Sequence, residues 1–157
     1  GAERSDSVLA GLQALPASVA ADDFVLVHDA ARPCVRTADI DRLIELASAS
    51  DGGLLGAPLR DTLKRANAVG CREFTEARDL RWRAFTPQMF RRAQLSAALG
   101  DAARRGVNVS DEAMAMEQAG FAPLLVEGAE DNIKVTTAAD FARAEFLLSR
   151  TGGCTHG

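Results

Sequence analysis

The chain has 157 residues, enough for one domain that buries roughly 70% of the surface its unfolded form exposes, so a hydrophobic core is expected. Its formal net charge of −4, from 18 basic and 22 acidic residues, gives no whole-chain reason to expect nucleic acid or a membrane surface as partner. Cys34, Cys71 and Cys154 form no CxxC or Cys/His ligand spacing, which fits a reducing cytoplasm rather than a disulfide framework or zinc site, and no apolar run approaches the ~18 residues of a membrane span.

The opening GAERSD lacks the basic-then-apolar plan of a signal peptide and reads as a cut, not a natural beginning. Ser5 or Asp6 can cap a helix in which Val8, Leu9, Leu12 and Leu15 recur at helical spacing, with Pro16 beyond its end. FVLVHD reads as a buried strand. Thr37 caps the next helix, which carries Ile40, Leu43, Ile44 and Ala47, and GGLLGAPLR reads as another short apolar strand. This alternation predicts an α/β fold of βαβ units, with a mostly parallel sheet flanked by helices.

From Asp61 to Phe85 the rhythm breaks. The stretch is polar and basic, with Cys71 to Phe74 and Arg81 to Phe85 as strands around a turn near Glu76 to Asp79, and it reads as a protruding β-hairpin arm. Nine of the 18 basic residues fall between Arg60 and Arg92 against four acidic ones, which suits a solvated basic hairpin or a phosphate-collecting one equally. Thr86 and Pro87 then predict the N-cap and first position of a helix running to about Gly106. Ser110 caps a short amphipathic helix with Ala113, Met114 and Met116 that stops at Gly120. Strands PLLVEG and IKV follow, then a helix with Phe141, Ala144, Leu147 and Leu148, and a frayed tail TGGCTHG.

Two stretches concentrate acid and base at strand ends: VHDAARP (Val27 to Pro33) and EDNIKVT (Glu130 to Thr136). An isolated Asp after a strand is a turn residue, but Asp29 with Arg32 three positions on can bind a ribose or metal and a phosphate together. Lys134 alternates away from Ile133 and Val135. Singly it is a solvated strand lysine; after Asp131 and Asn132, whose side chain can fix a loop, it also suits an ammonium aimed into a crevice. Ser110 and Asp111 open a helix whose free N–H groups can receive an anion, and a plain cap is compatible with that. His28 receives no role. Thr62 and Thr86, taken alone, are turn and cap residues, and Arg78 a solvated charge.

Found together and in this order, VHDAARP, RDTLKR, the TPQ turn, SDEA and DNIKVT resemble the 2-C-methyl-D-erythritol 4-phosphate cytidylyltransferase family over nearly the whole chain. The resemblance implies a Rossmann-like nucleotidyltransferase fold and transfer of a cytidylyl group from CTP to 2-C-methyl-D-erythritol 4-phosphate in isoprenoid precursor synthesis. It implies catalytic roles for Lys134, Asp29 and Arg32, with Ser7 and Asp29 near the nucleotide and Ser110 at the same site, where threonine is more usual. It further implies Mg²⁺ held mainly by the CTP phosphates, and a cytoplasmic homodimer in which Thr62, Arg78 and Thr86 reach the partner's substrate phosphate. Ala129 departs from the basic residue often found before DNIKVT.

The family's glycine-rich CTP loop has no counterpart here, since Gly52-Gly53 is too short and no GxGxxG occurs. The chain is therefore expected to form the C-terminal two-thirds of a single cytidylyltransferase domain, with a dimerisation arm at about 61–85, and to be inactive alone. Two alternatives stay open: a cytidylyltransferase for another sugar-alcohol phosphate such as ribitol 5-phosphate, and a non-catalytic dimerisation module.

Overall fold

The computed structural model describes residues 3 to 151, so Cys154 and most of the expected frayed tail lie outside it. Helix α1 (Arg4–Gln13) leads to strand β1 (Phe24–Val27), helix α2 (Thr37–Ala47) and strand β2 (Gly53–Pro58). Strands β3 (Leu63–Ala66), β4 (Arg72–Glu76) and β5 (Trp82–Arg91) follow. Helices α3 (Arg92–Arg104) and α4 (Glu112–Gln118), strand β6 (Leu124–Glu127) and helix α5 (Ala138–Thr151) complete the order.

The main sheet is mixed, in the order β1-β5-β2-β6. Strand β5 runs antiparallel to both neighbours while β2 and β6 are parallel, so β1, β2 and β6 share one direction and their carboxyl ends lie at one edge. Alternation divides the core between the two faces. Leu54 and Phe90 face α1, α3 and α4, where Leu12, Leu95, Leu99 and Met116 are buried. Leu55 and Met89 face the other way, onto Leu43 and Ala47 of α2.

Several local expectations change. Asp6 is not the cap of α1; Glu3 is, and the Asp6 carboxylate accepts from the Glu3 N–H at 3.2 Å, one half of a capping box. The exposed hairpin pairs β3 with β4 through a turn at Asn67 to Gly70, where the Asn67 side chain accepts from the Val69 and Cys71 N–H groups. Arg81 to Phe85 therefore leads into the main sheet instead of closing the hairpin. Thr86 and Pro87 lie inside β5, joined by a cis peptide, and the helix begins only at Arg92. Proline is tolerated there because β2 pairing skips from Leu54↔Gln88 to Gly56↔Ala84, a bulge that leaves its missing N–H without a ladder position to fill.

The cap of α4 is Asp111, whose carboxylate accepts from the Met114 N–H at 2.9 Å, while the Ser110 hydroxyl contacts the Met114 sulfur. IKV forms no strand. Its backbone is anchored by Val135 N–H to the Ala31 carbonyl at 2.7 Å.

Gly52 turns the chain from α2 into β2 at φ +92°, and a Cβ there would lie 2.3 Å from the Met89 carbonyl oxygen. A left-handed backbone alone costs a non-glycine residue about 1–3 kcal/mol. Gly52→Ala is expected to lose at least that much stability, read as a lower urea midpoint at unchanged slope.

Candidate active site

A crevice of about 200 Å³ opens at the shared carboxyl end of the sheet, lined by Arg4, Asp29, Arg32, Thr86, Ser110 and Lys134 among others. Crevices at this edge are where open α/β sheets bind ligands. Strand β1 ends at Val27, against Gln88 of β5, and the next residues turn tightly as Arg32 N–H donates to the Asp29 carbonyl at 2.9 Å. That turn brings the Asp29 carboxylate and the Arg32 guanidinium to one side.

Asp29 is the hub. Its Oδ1 accepts from Arg4 at 2.9 Å, its Oδ2 pairs with Lys134 Nζ at 3.1 Å, and Arg32 Nε stands 3.8 Å from Oδ2. Partial burial opposes the Asp29 charge, but hydrogen bonds from Lys134 and Arg4 and their positive charges outweigh it, so its carboxyl titrates below the usual carboxylate range. Burial is also the main pressure on Arg32, lowering its proton affinity against the pull of Asp29 and with the repulsion of Arg4, although an arginine keeps its proton under any ordinary condition. Arg32 Nη1 donates to the Asn132 carbonyl at 2.7 Å, and its buried Nε has no hydrogen-bond partner. At 3.8 Å from Asp29 Oδ2 it makes an ion pair and no hydrogen bond.

The depressed Asp29 value has a consequence for stability. Its ion pairs contribute fully above the unfolded carboxylate pKa of ~3.9 and are lost as pH falls through the lower folded value. The thermal midpoint of the protein should therefore exceed that of Asp29→Asn by a constant margin near neutral pH, and the margin should shrink below about pH 4. A margin unchanged down to the acid transition would mean the carboxylate gains nothing from Arg4 and Lys134.

The Thr86 hydroxyl, 4% exposed as a residue, accepts from the Asp29 N–H at 3.0 Å and lies 3.0 Å from His28 Nδ1. His28 Nε2 lies 3.0 Å from the Arg32 carbonyl, which can only accept. That contact assigns the proton to Nε2 and makes Nδ1 the acceptor of the Thr86 O–H in the neutral ring. The buried Asn132 side chain donates to the Thr86 carbonyl at 2.8 Å and so ties the DNIKVT loop to β5. Buried Gln88 clamps the start of α4, donating to Asp111 at 2.9 Å and accepting from the Ala113 N–H at 2.8 Å.

The fold thus gathers Asp29, Arg32, Lys134, Thr86 and Ser110. Ser7 is exposed on α1, one turn beyond Arg4, and does not line the crevice. Thr62 and Arg78 are exposed on the segments flanking the hairpin, where the Arg78 guanidinium bonds to the Arg60 carbonyl. Arg4, Glu112, His28 and Gln88 join the site without having been marked by the sequence. Among the described residues no three His, Cys, Asp or Glu side chains gather as a metal cluster, and no helix is long and apolar enough to cross a membrane.

A family model described as "IspD: 2-C-methyl-D-erythritol 4-phosphate cytidylyltransferase" matches residues 1–150. A curated 2-C-methyl-D-erythritol 4-phosphate cytidylyltransferase of Stenotrophomonas maltophilia (strain K279a) is 62% identical over 98% of this chain and 66% of its own length. One of Xanthomonas oryzae pv. oryzae (strain PXO99A) is 61% identical over 97% of this chain and 56% of its own. The crystal structure of the Francisella tularensis protein of the same name superposes with a TM-score of 0.86 at 36% identity, covering 94% of this chain and 69% of that one. The chain accordingly spans 56% and 66% of the length of these two curated relatives.

Proposed function

Since the chain belongs to the 2-C-methyl-D-erythritol 4-phosphate cytidylyltransferase family, we propose that the protein containing it transfers a cytidylyl group from CTP to 2-C-methyl-D-erythritol 4-phosphate. The observation that carries this reading is the Asp29 hub: one ionised carboxylate among three cations, with an unpartnered Arg32 Nε, at the ligand-binding edge of the sheet.

In the reaction, an oxygen of the acceptor phosphate forms a bond to the α-phosphorus of CTP while the bond to the bridging oxygen breaks. The products are 4-diphosphocytidyl-2-C-methyl-D-erythritol and pyrophosphate. A phosphate monoester has its second pKa near ~6, so the nucleophile is already ionised at neutral pH and no general base is needed. Positioning and charge neutralisation carry the catalysis. Lys134, half exposed and paired with Asp29 Oδ2, can move its ammonium onto a phosphate oxygen, and the Arg32 guanidinium beside it adds a second positive charge. Thr86 and Asn132 hold the backbone on which Asp29 and Lys134 sit.

Magnesium would be held mainly by the CTP phosphates and water, because both Asp29 oxygens are already engaged by Arg4 and Lys134. When bound, the ion would supply charge neutralisation on the triphosphate.

The proposal extends to a homodimer in which the hairpin of about residues 61–85 serves as an arm, with Thr62 and Arg78 contributing to the partner's acceptor site. It is supported by their position outside this chain's own crevice and by the exposed apolar side chains Val69, Phe74 and Leu80. A cytoplasmic location goes with this reading, supported by the free thiols of Cys34 and Cys71.

The test is a comparison of acceptors. With CTP and Mg²⁺, 2-C-methyl-D-erythritol 4-phosphate should give a kcat/KM at least about a hundredfold above that of ribitol 5-phosphate, since buried polar groups left unpaired by the wrong acceptor are costly. Preference for ribitol 5-phosphate would reassign the acceptor.

A further inference from the structure

Glu112 is fully buried at the first position of α4 and is not among the groups the transfer uses directly. Both its oxygens are taken by one guanidinium: Arg4 Nη1 reaches Oε1 at 2.5 Å and Nη2 reaches Oε2 at 3.0 Å. The same guanidinium turns its Nε to Asp29 Oδ1 at 2.9 Å. Arg4 therefore bridges two carboxylates that lie on different elements, 108 residues from Glu112 and 25 from Asp29.

The bridge divides the work of the Asp29 carboxylate. Oδ1 is tied to the scaffold, and Oδ2 is left facing Lys134 and Arg32. Arg4 is one-third exposed and would swing without its buried anchor; bidentate pairing to a rigidly clamped carboxylate fixes its plane. Glu112 is itself held by the Asp111 cap and by the Gln88 amide against the α4 backbone. A buried ion pair adds little to stability compared with an apolar pair of equal volume, which directs attention to what the pair orients.

We propose that Glu112 is a positioning residue for the cytidylyl transfer, acting through Arg4 to hold Asp29 with Oδ2 directed at Lys134. The inference rests on the function proposed above. Glu112 touches no substrate; losing its charge loosens Arg4 and lets Asp29 rotate, which lowers turnover more than acceptor binding.

The experiment uses an active protein containing this chain. Glu112→Gln should lower kcat by about 10–100-fold, the range typical of residues that orient a ligand-bearing group, with KM for the acceptor within about threefold of the unmutated protein. In an Asp29→Asn background the same substitution should cost less than about twofold, because its effect passes through Asp29. A second variant separates orientation from folding: Arg4→Met with Glu112→Met replaces the pair by apolar side chains and should keep the thermal midpoint while kcat stays low. If kcat recovers with the midpoint, or Glu112→Gln costs the same factor with and without Asp29, Glu112 is structural only and the proposal falls. No turnover by the unmutated protein would instead remove the functional reading on which the proposal stands.

Discussion

Replacing Lys134 with alanine is expected to lower kcat by roughly 10²–10³-fold while changing KM for either substrate by far less, as for loss of one preorganised donor to a developing charge. Its ammonium is half exposed and pairs with Asp29 Oδ2, so removing it leaves Asp29 still paired with Arg4 and opens no buried hole. With the ammonium side half exposed and screened by solvent, the pair contributes about 1 kcal/mol or less to stability, so the variant should fold and its lost activity should reflect chemistry. Steady-state kinetics with both substrates decides. A rise in KM for CTP at unchanged kcat would make Lys134 a ground-state contact and would contradict its role at the reacting phosphates.

Arg78→Ala is expected to be nearly as damaging, through the neighbouring subunit's site. In this chain the Arg78 guanidinium is exposed and engages the Arg60 carbonyl, and neither it nor Thr62 lines the crevice that holds Lys134. In a symmetric dimer whose arms cross, Arg78→Ala and Lys134→Ala chains, unfolded and reassembled together, form mixed dimers with one intact site and one doubly damaged site. Random pairing makes half the dimers mixed and half their sites competent, so about a quarter of the unmutated activity should return. Recovery no greater than the sum of the two separate variants, in a sample shown to contain mixed dimers, would place both residues in one subunit's site or Arg78 outside it.

Local sequence carried the parts of the fold that local chemistry decides. Strands β1, β2 and β6 and helix α2 follow from apolar runs and helical spacing, each placing some of its residues in the core; α5 also follows from its spacing, though it buries Ala144 and leaves Phe141 and Leu148 exposed. The second half of β5 is hidden because Thr86-Pro87 is equally a helix-start signal, so the expected strand stops at Phe85 while β5 runs on to Arg91. Only its tertiary setting, a bulge between β1 and β2, makes a proline acceptable there. The IKV segment has strand-forming residues but pairs with no strand; its backbone is held by Val135 N–H to the Ala31 carbonyl and Ile133 N–H to the Asp131 carbonyl.

Within the site, Asp29, Arg32 and Lys134 were legible because acid and base cluster in two short motifs. Arg4 and Glu112 were not, since their pairing spans 108 residues and nothing local distinguishes Arg4 from a solvated helix charge. The one available signal was Glu112 itself, an acid directly after the Asp111 cap on a helix whose next residues are apolar. His28 escaped for a similar reason: its value lies in contacts to Thr86 and to the Arg32 carbonyl, which only the folded turn creates.

The most direct test follows the phosphorus atoms by ³¹P NMR when a full-length protein containing this chain meets CTP, Mg²⁺ and 2-C-methyl-D-erythritol 4-phosphate. The acceptor's monoester signal should be replaced by that of a diphosphate diester while pyrophosphate appears in equal amount, and both changes should slow together in Lys134→Ala. Pyrophosphate released with CMP and no diester, or an unchanged spectrum from the folded protein, would contradict the proposed transfer.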